Sequence, residues 1–328
     1  MNNLSVVIPH KGDPKYLYDA IDSAINQSYK PMEIIVVIDG KIECDTMFYS
    51  SMIQPRVYFY SSPSTGVAAA RNFGVEQATG EFIAFLDSDD IWHIDKLQNQ
   101  REFLTDNYAF VHGPALEFYE KDFSSVELKI PQFSDSYENL LFGLYSVTGS
   151  SSSVVLRKSI FSQIGGFDEK MSLAEDWDLW VRLRTLGPIG FAKDSISYLR
   201  LHSSSSQRQV LRGLITRRDL DFYAACQIWE KHLHNLDYPF SIDELEILKV
   251  RLTWQILSLR WKILLYFFVL NFIFISDFPN IWKQIFPTKF AYFAFVRRIL
   301  LLNSYRKVRK VFNVLSKLHF SKYCRLYP

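Results

Sequence analysis

Asp87-Ser88-Asp89-Asp90 places three carboxylates within four residues, directly after the apolar run Glu81-Phe-Ile-Ala-Phe-Leu86. Carboxylates this close repel one another unless a cation or hydrogen-bond donors share their charge. At the C-terminal end of a buried strand, where open α/β sheets bind ligands, such a cluster suits a divalent cation carrying a diphosphate. Asp and Ser also build turns and helix N-caps, so the cluster gains meaning only from the elements that position it.

Those elements alternate. Leu4 to Ile8 reads as a strand ending in Pro9-His10-Lys11-Gly12. Asp13 caps a helix with Pro14 at its first position, and Leu17, Ile21, Ala24 and Ile25 recur at helical spacing. Glu33 to Ile38 is a second buried strand ending at Asp39-Gly40, and Val57 to Tyr60 a third. Gly66 opens a helix to about Ala78, and the Glu81 to Leu86 strand follows. Strands and helices in this order predict βαβ units and a mainly parallel, doubly wound sheet. Three strand ends, at Pro9 to Lys11, at Asp39 and at Asp87 to Asp90, then share one sheet edge. No glycine-rich phosphate loop is present, so a metal at the acid cluster is the expected source of positive charge, with Arg71 beside it. The alternative for Arg71 is a solvated helix face. Further on, short strands are expected near 109–112, 153–156 and 195–201, and helices near 136–144 and 175–186. Ile164 to Glu169 reads as a turn.

At 328 residues the chain has room for a large α/β domain and an appendage. Its formal net charge of +2 hides an asymmetry. Of 37 Lys and Arg, eleven fall between Phe278 and Pro328, where there is no Asp or Glu; the preceding residues keep 26 against 35 acids, a net of −9. An acidic body therefore precedes a basic tail. Cys44, Cys226 and Cys324 lie far apart, which fits neither a disulfide framework nor a zinc site and points to a reducing cytoplasm. The first residues carry no basic, apolar leader pattern.

Seven pieces in order resemble glycosyltransferase family 2, of GT-A fold, over roughly residues 4–206: Val6-Val-Ile-Pro9, Leu17 through Asn26-Gln27-Ser28-Tyr29, Ile34-Ile-Val-Val-Ile-Asp39-Gly40, Gly66-Val-Ala-Ala-Ala-Arg71-Asn72, Phe85-Leu-Asp87-Ser-Asp89-Asp90, Gly165-Gly-Phe-Asp-Glu169 and Glu175-Asp176-Trp-Asp-Leu-Trp180. The resemblance implies an inverting transfer of a sugar from a nucleotide donor to an acceptor hydroxyl, with Mn²⁺ or Mg²⁺. It implies a donor site of Pro9, Lys11, Asp39, Arg71, Asp87 and Ser88, a metal held by Asp89 and His202, and Asp176 as the base. Glu175 and Trp177 fall on the acceptor side. Helix N-terminal acid enrichment is the plainer reading of Glu175-Asp176, and a surface or core histidine that of His202. Chemistry agrees with the division of roles, since in-line displacement at an anomeric carbon needs one base while the leaving diphosphate needs charge neutralisation.

Departures from the family pattern leave the donor open. His10-Lys11-Gly12 stands where many relatives have Thr-Tyr-Asn, and Ile38 and Lys41 flank Asp39-Gly40 where an Asp and a Ser are common. The Gln-x-x-Arg-Trp signature of processive synthases is missing, because Arg260-Trp261 follows Ile256-Leu-Ser-Leu259. A single addition is the expectation.

The expected organisation is a catalytic domain over 1–206, with a nucleotide-binding half (1–110) and an acceptor half (111–206), and a helical, basic and aromatic extension over 207–328. Ile263 to Ile275, as a helix, would span about 20 Å at ~1.5 Å per residue, short of a ~30 Å hydrocarbon core. Apolar and aromatic side chains interleaved with unopposed Lys and Arg over residues 263–328 suit an anionic membrane surface, on the cytoplasmic face; a soluble helical subdomain or dimer contact is the alternative. No nucleic-acid module is recognised. The acceptor is expected to be a glycan or a lipid-linked glycan of the cell surface. Two rival functions are a phosphohydrolase of haloacid dehalogenase type, suggested by Asp87-x-Asp89 after an apolar strand, and a noncatalytic membrane-associated scaffold.

Overall fold

The computed structural model describes residues 3–40 and 55–202, apart from 106, 121–124, 132–133, 142, 144, 149 and 172, together with residues 224, 227, 228, 231 and 232. The chain divides into two compact units, Met1–Ser205 and Ser206–Pro328. All elements named below belong to the first. Of the expected basic extension over 207–328, those five positions (224, 227, 228, 231 and 232) are described, and residues 263–328 lie outside the described residues. Among the described residues no helix is long and apolar enough to cross a membrane.

The apolar runs become the centre of the sheet. β1 (Leu4–His10), β2 (Glu33–Ile38), β3 (Arg56–Ser61) and β4 (Phe82–Phe85) are mutually parallel, with β1 between β2 and β4. Every residue of β1, β2 and β4 is buried, as expected of strands covered on both faces. On one face, Val6 and Ile8 of β1 and Ile34 and Val36 of β2 pack against Leu17, Ala20, Ile21 and Ala24 of α1 (Leu17–Ile25). Each such side chain contributes about 1.5–3 kcal/mol through burial. On the opposite face α2 (Val67–Gln77) approaches closely at Gly74, where a Cβ would lie 2.4 Å from Val7 Cγ1.

The remaining elements assemble around this half. β5 (Ile91–Trp92) and α3 (Lys96–Arg101) follow the acid cluster; β6 (Phe110–His112), β7 (Ala115–Tyr119), β8 (Ser125–Lys129), α4 (Tyr137–Leu141), β9 (Val155–Arg157), α5 (Lys158–Gln163), α6 (Glu175–Arg184), β10 (Ile189–Phe191) and β11 (Ser197–Leu201) come after. The main sheet has seven strands in the order β10-β6-β9-β4-β1-β2-β3, and β9 runs antiparallel to both neighbours. A second sheet, β5-β11-β7-β8, closes beside the acid cluster. Phe85, Phe161 and Phe167 form an aromatic triangle with centroids 5.3–5.9 Å apart, and Trp180 of α6 lies against Phe110 and Phe167.

Several expected elements are shifted. Asp13 does accept from the Lys15 N–H, but the turn it caps is 3-10 (Pro14–Tyr16), and the α-helix starts at Leu17. β1 continues through Pro9, opposite Val37, to His10. The expected strand at 153–156 moves to Val155–Arg157, preceded by a 3-10 turn at Ser150–Ser153.

Candidate active site

The C-terminal ends of β1, β2 and β4 bring their side chains to one edge. The Asp39 N–H donates to His10 O at 2.8 Å, fastening the two strand ends. Asp39 Oδ2 then accepts from Lys11 Nζ and from the Gly66 N–H, each at 2.9 Å. Gly66, at φ 110°, takes a conformation that favours glycine and aims that N–H. Burial pushes the Asp39 carboxyl up, but the Lys11 and Gly66 hydrogen bonds outweigh it and hold the group below the usual carboxylate range. Lys11 itself is 70% exposed. Beside it, His10 Nδ1 lies 3.0 Å from Ser88 Oγ, which ties the β1 end to the acid cluster.

Within that cluster the carboxylates have separate surroundings. Asp87 takes Arg71 Nη2 at 2.6 Å on Oδ1, and its N–H donates to Ser152 Oγ. Asp90 is buried; it accepts from Ser152 Oγ at 2.6 Å and from the Arg200 N–H at 3.2 Å. Burial first, and then the charges of Asp89 and Asp87, push the Asp90 carboxyl well up. Asp90 is thus a lock between the β4 end and β11 as well as a member of the turn. Asp89 Oδ2 lies 3.0 Å from His202 Nε2.

His202 arrives through β11. Arg200, two residues earlier, donates from Nε to Asp89 O at 3.0 Å and from Nη2 to Asp19 at 2.8 Å. Its guanidinium lies 4.5 Å over Tyr16, whose ring is 4.8 Å from that of His202. Sequence reasoning missed Arg200, although the period-2 pattern of 197–201 puts it on the same strand face as His202.

The other acids come from α6. Ala174, at φ 59°, turns the chain into the helix. Glu175 Oε1 accepts from Arg71 Nη1 at 2.9 Å. Asp176 follows at half-exposed depth, its Oδ1 accepting from the Trp177 N–H at 2.7 Å. Trp177 Nε1 donates to Leu140 O, which anchors the indole against α4. Burial and the neighbouring Asp176 charge push the Glu175 carboxyl up against the opposing effect of Arg71.

Arg71 corrects an expectation. It does not lie on a solvated helix face: the residue is 3% exposed, and one guanidinium bridges Asp87 and Glu175. Burial opposes its charge, but Asp87 and Glu175 outweigh that and stabilise the cation. Its Nε, enclosed without a hydrogen-bond partner, carries a penalty of about 1–3 kcal/mol that the two charged bonds offset.

A divalent cation is compatible with the Asp89–His202 pair. Cis ligands of an octahedral ion with bonds of ~2.1 Å stand about 3.0 Å apart, which is the Oδ2–Nε2 separation here. Among the described residues no third His, Cys, Asp or Glu joins them in a cluster of metal-binding spacing, so remaining ligands would come from a bound diphosphate and water.

A mainly parallel sheet with acids gathered at the C-terminal edge of its strands, joined through Arg71 to an acid at a helix N-terminus, is the open α/β arrangement that binds ligands at its strand ends. Residues 5–165 match Glycosyl transferase family 2, and residues 123–208 match Glycosyltransferase like family 2. The chain belongs to glycosyltransferase family 2. It is 29% identical over 219 residues to an uncharacterized glycosyltransferase of Rickettsia typhi, covering 64% of this chain and 68% of that protein. The amylovoran biosynthesis glycosyltransferase AmsB of Erwinia amylovora is 29% identical over 254 residues, covering 69% of this chain and 83% of AmsB. A second Rickettsia relative, from R. felis, is matched over 35% of its own length. Among solved structures, residues 1–349 of S. aureus TarS in complex with UDP-GlcNAc superpose with a TM-score of 0.54 at 18% identity, covering 72% of this chain and 68% of that one. That likeness establishes the GT-A type fold. Family membership sets aside the phosphohydrolase alternative.

Proposed function

We propose that the protein transfers one sugar, with inversion, from a nucleotide-sugar donor to a hydroxyl of a glycan or lipid-linked acceptor in cell-surface polysaccharide assembly. One observation carries the proposal: Asp39, Asp87 and Asp89 share a sheet edge with Glu175-Asp176, through the Arg71 bridge. The donor acids and the acid that faces an acceptor are thereby separate groups, as a single displacement requires. The relationship to AmsB supports a polysaccharide product, and the TarS complexes with UDP and UDP-GlcNAc support a nucleotide-sugar donor.

Asp39, held ionised by Lys11 and Gly66, accepts N–H groups of the nucleotide base, with Pro9 and Lys11 beside it. Asp87 and Ser88 line the ribose and diphosphate. Asp89 and His202 hold Mn²⁺ or Mg²⁺, which when bound neutralises charge on the diphosphate. Asp176 removes the acceptor hydroxyl proton as the oxygen bonds to the anomeric carbon. The bond from that carbon to the diphosphate oxygen breaks, and its electron pair leaves with the nucleoside diphosphate. Trp177 and Glu175 border the acceptor side. Peripheral attachment to an anionic membrane through residues 263–328 would bring a lipid-linked acceptor within reach.

A thermal-shift panel of UDP-, GDP- and dTDP-sugars with and without Mn²⁺, followed by product analysis, tests the assignment. A metal-dependent shift with one donor, lost in Asp89→Ala, and transfer lost in Asp176→Asn with donor binding retained are the expected results. Full transfer by both variants would refute it.

A further inference from the structure

We propose that Arg71 is a positioning residue, a strut that fixes the first turn of α6, and with it Asp176, against the donor-side carboxylate Asp87. The proposal rests on the transfer mechanism above for its kinetic consequence, but its structural part stands alone. Arg71 Nη2 meets Asp87 at 2.6 Å and Nη1 meets Glu175 at 2.9 Å, carboxylates that the sequence separates by 88 residues. Its guanidinium also lies 5.2 Å over Phe167.

Adjacent contacts make the strut part of a rigid unit. Asn72 mimics a backbone partner for Phe167: its Oδ1 accepts from the Phe167 N–H at 2.9 Å and its Nδ2 donates to Phe167 O at 3.0 Å. From the other side, Arg182 of α6 donates to Ile164 O at 2.8 Å and to Gly166 O at 2.7 Å. The start of α2, the 164–167 turn and α6 are therefore fastened together at both ends. The Arg71 bridge carries that assembly on to the donor carboxylate.

The chemistry selects arginine. Two carboxylates on different elements need two N–H groups held in one plane, whereas a lysine ammonium is a point charge on a flexible stem. Asp176 directly follows the residue Arg71 holds, and misplacing a reacting group by about 1 Å costs on the order of 10²-fold in rate. Both terminal nitrogens are engaged by protein acids, which favours alignment over direct donor recognition.

Arg71→Lys, Glu175→Gln and the double variant of the full chain separate these roles. The first measurement is hydrogen exchange at the Asp178 N–H, which bonds Ala174 O at 3.0 Å and reports the first turn of α6. Exchange should rise about tenfold in each single variant. With UDP and Mn²⁺ as probe, nucleotide affinity should stay within about threefold of wild type; with the donor found in the panel, kcat should fall about 10- to 100-fold at nearly constant KM. The double variant should be no worse than the worse single, as expected of two ends of one strut. Unchanged exchange, or nucleotide affinity falling in step with kcat in Arg71→Lys, would overturn the proposal. A wild type inactive on every nucleotide sugar would remove the transfer mechanism while a rise in exchange still upheld the strut. Should Arg71→Lys fail to fold, the near-isosteric Glu175→Gln carries the same comparison.

Discussion

His202 Nε2 and Asp89 Oδ2 stand 3.0 Å apart although 113 residues of sequence separate them. The pairing is built by β11: Arg200 bonds Asp89 through its side chain and Asp90 through its backbone, and His202 follows on the same strand face. If the pair holds a divalent cation, Mn²⁺ should raise the melting temperature in the presence of UDP, because a ligand of the folded state stabilises it. His202→Ala should weaken Mn²⁺ binding on the order of tenfold or more, and Asp89→Ala should abolish it. Calorimetric titration of Mn²⁺ checks both without any assay of turnover.

Burial pushes the His112 imidazole down to about 3, against a small opposing effect from Gly113. The neutral ring also fits its partners, with the Tyr145 hydroxyl able to donate to Nε2. Thr148 Oγ1 donates to Gly113 O, so toward His112 Nδ1 it acts as acceptor, and Tyr145 OH is 2.6 Å from Nε2. The unfolded chain takes up this proton near pH 6.5 and the folded chain only near 3, so stability rises with pH between those values. Acidification through that window should remove on the order of 5 kcal/mol at this site. His112→Asn cannot titrate; urea unfolding at several pH values should show a flatter acid limb than wild type.

Gly113 lies where no side chain fits: a Cβ there would stand 2.0 Å from Ser195 O, a backbone atom. Gly113→Ala should therefore destabilise by about 3 kcal/mol, at the upper end of overpacking effects. Because β6 and β7 flank this residue, the damage spreads to both sheets. Chemical denaturation measures it, and a loss below about 0.5 kcal/mol would contradict the close approach.

The parts of this fold that could be read from sequence are those governed by local pattern. β1, β2 and β4 are continuous apolar runs because both faces are covered, and the acids and Asp39 mark their ends. The second sheet was not legible: β5 has two residues, and β11 pairs β7 across some eighty positions, a long-range choice that short alternation cannot express. Arg71 shows the same limit. A helical pattern assigns a residue to a face of its own helix, but what buries Arg71 is α6, which arrives 104 residues later. Lys96 is a further case, fully enclosed over the Trp92 ring at 3.9 Å. A charged residue on a short helix gives no sign of that destination.

Ala174 places a side chain in left-handed backbone, at φ 59° and ψ 32°, immediately before Glu175 and Asp176. Glycine would relieve about 1 kcal/mol of strain there, but it would also enlarge the freedom of the unfolded chain by a similar amount. Ala174→Gly should leave the melting temperature nearly unchanged and still lower kcat, because the same substitution loosens the hinge into α6. The methyl group of one alanine thus trades conformational entropy for order at a place where thermodynamic stability gains nothing from it.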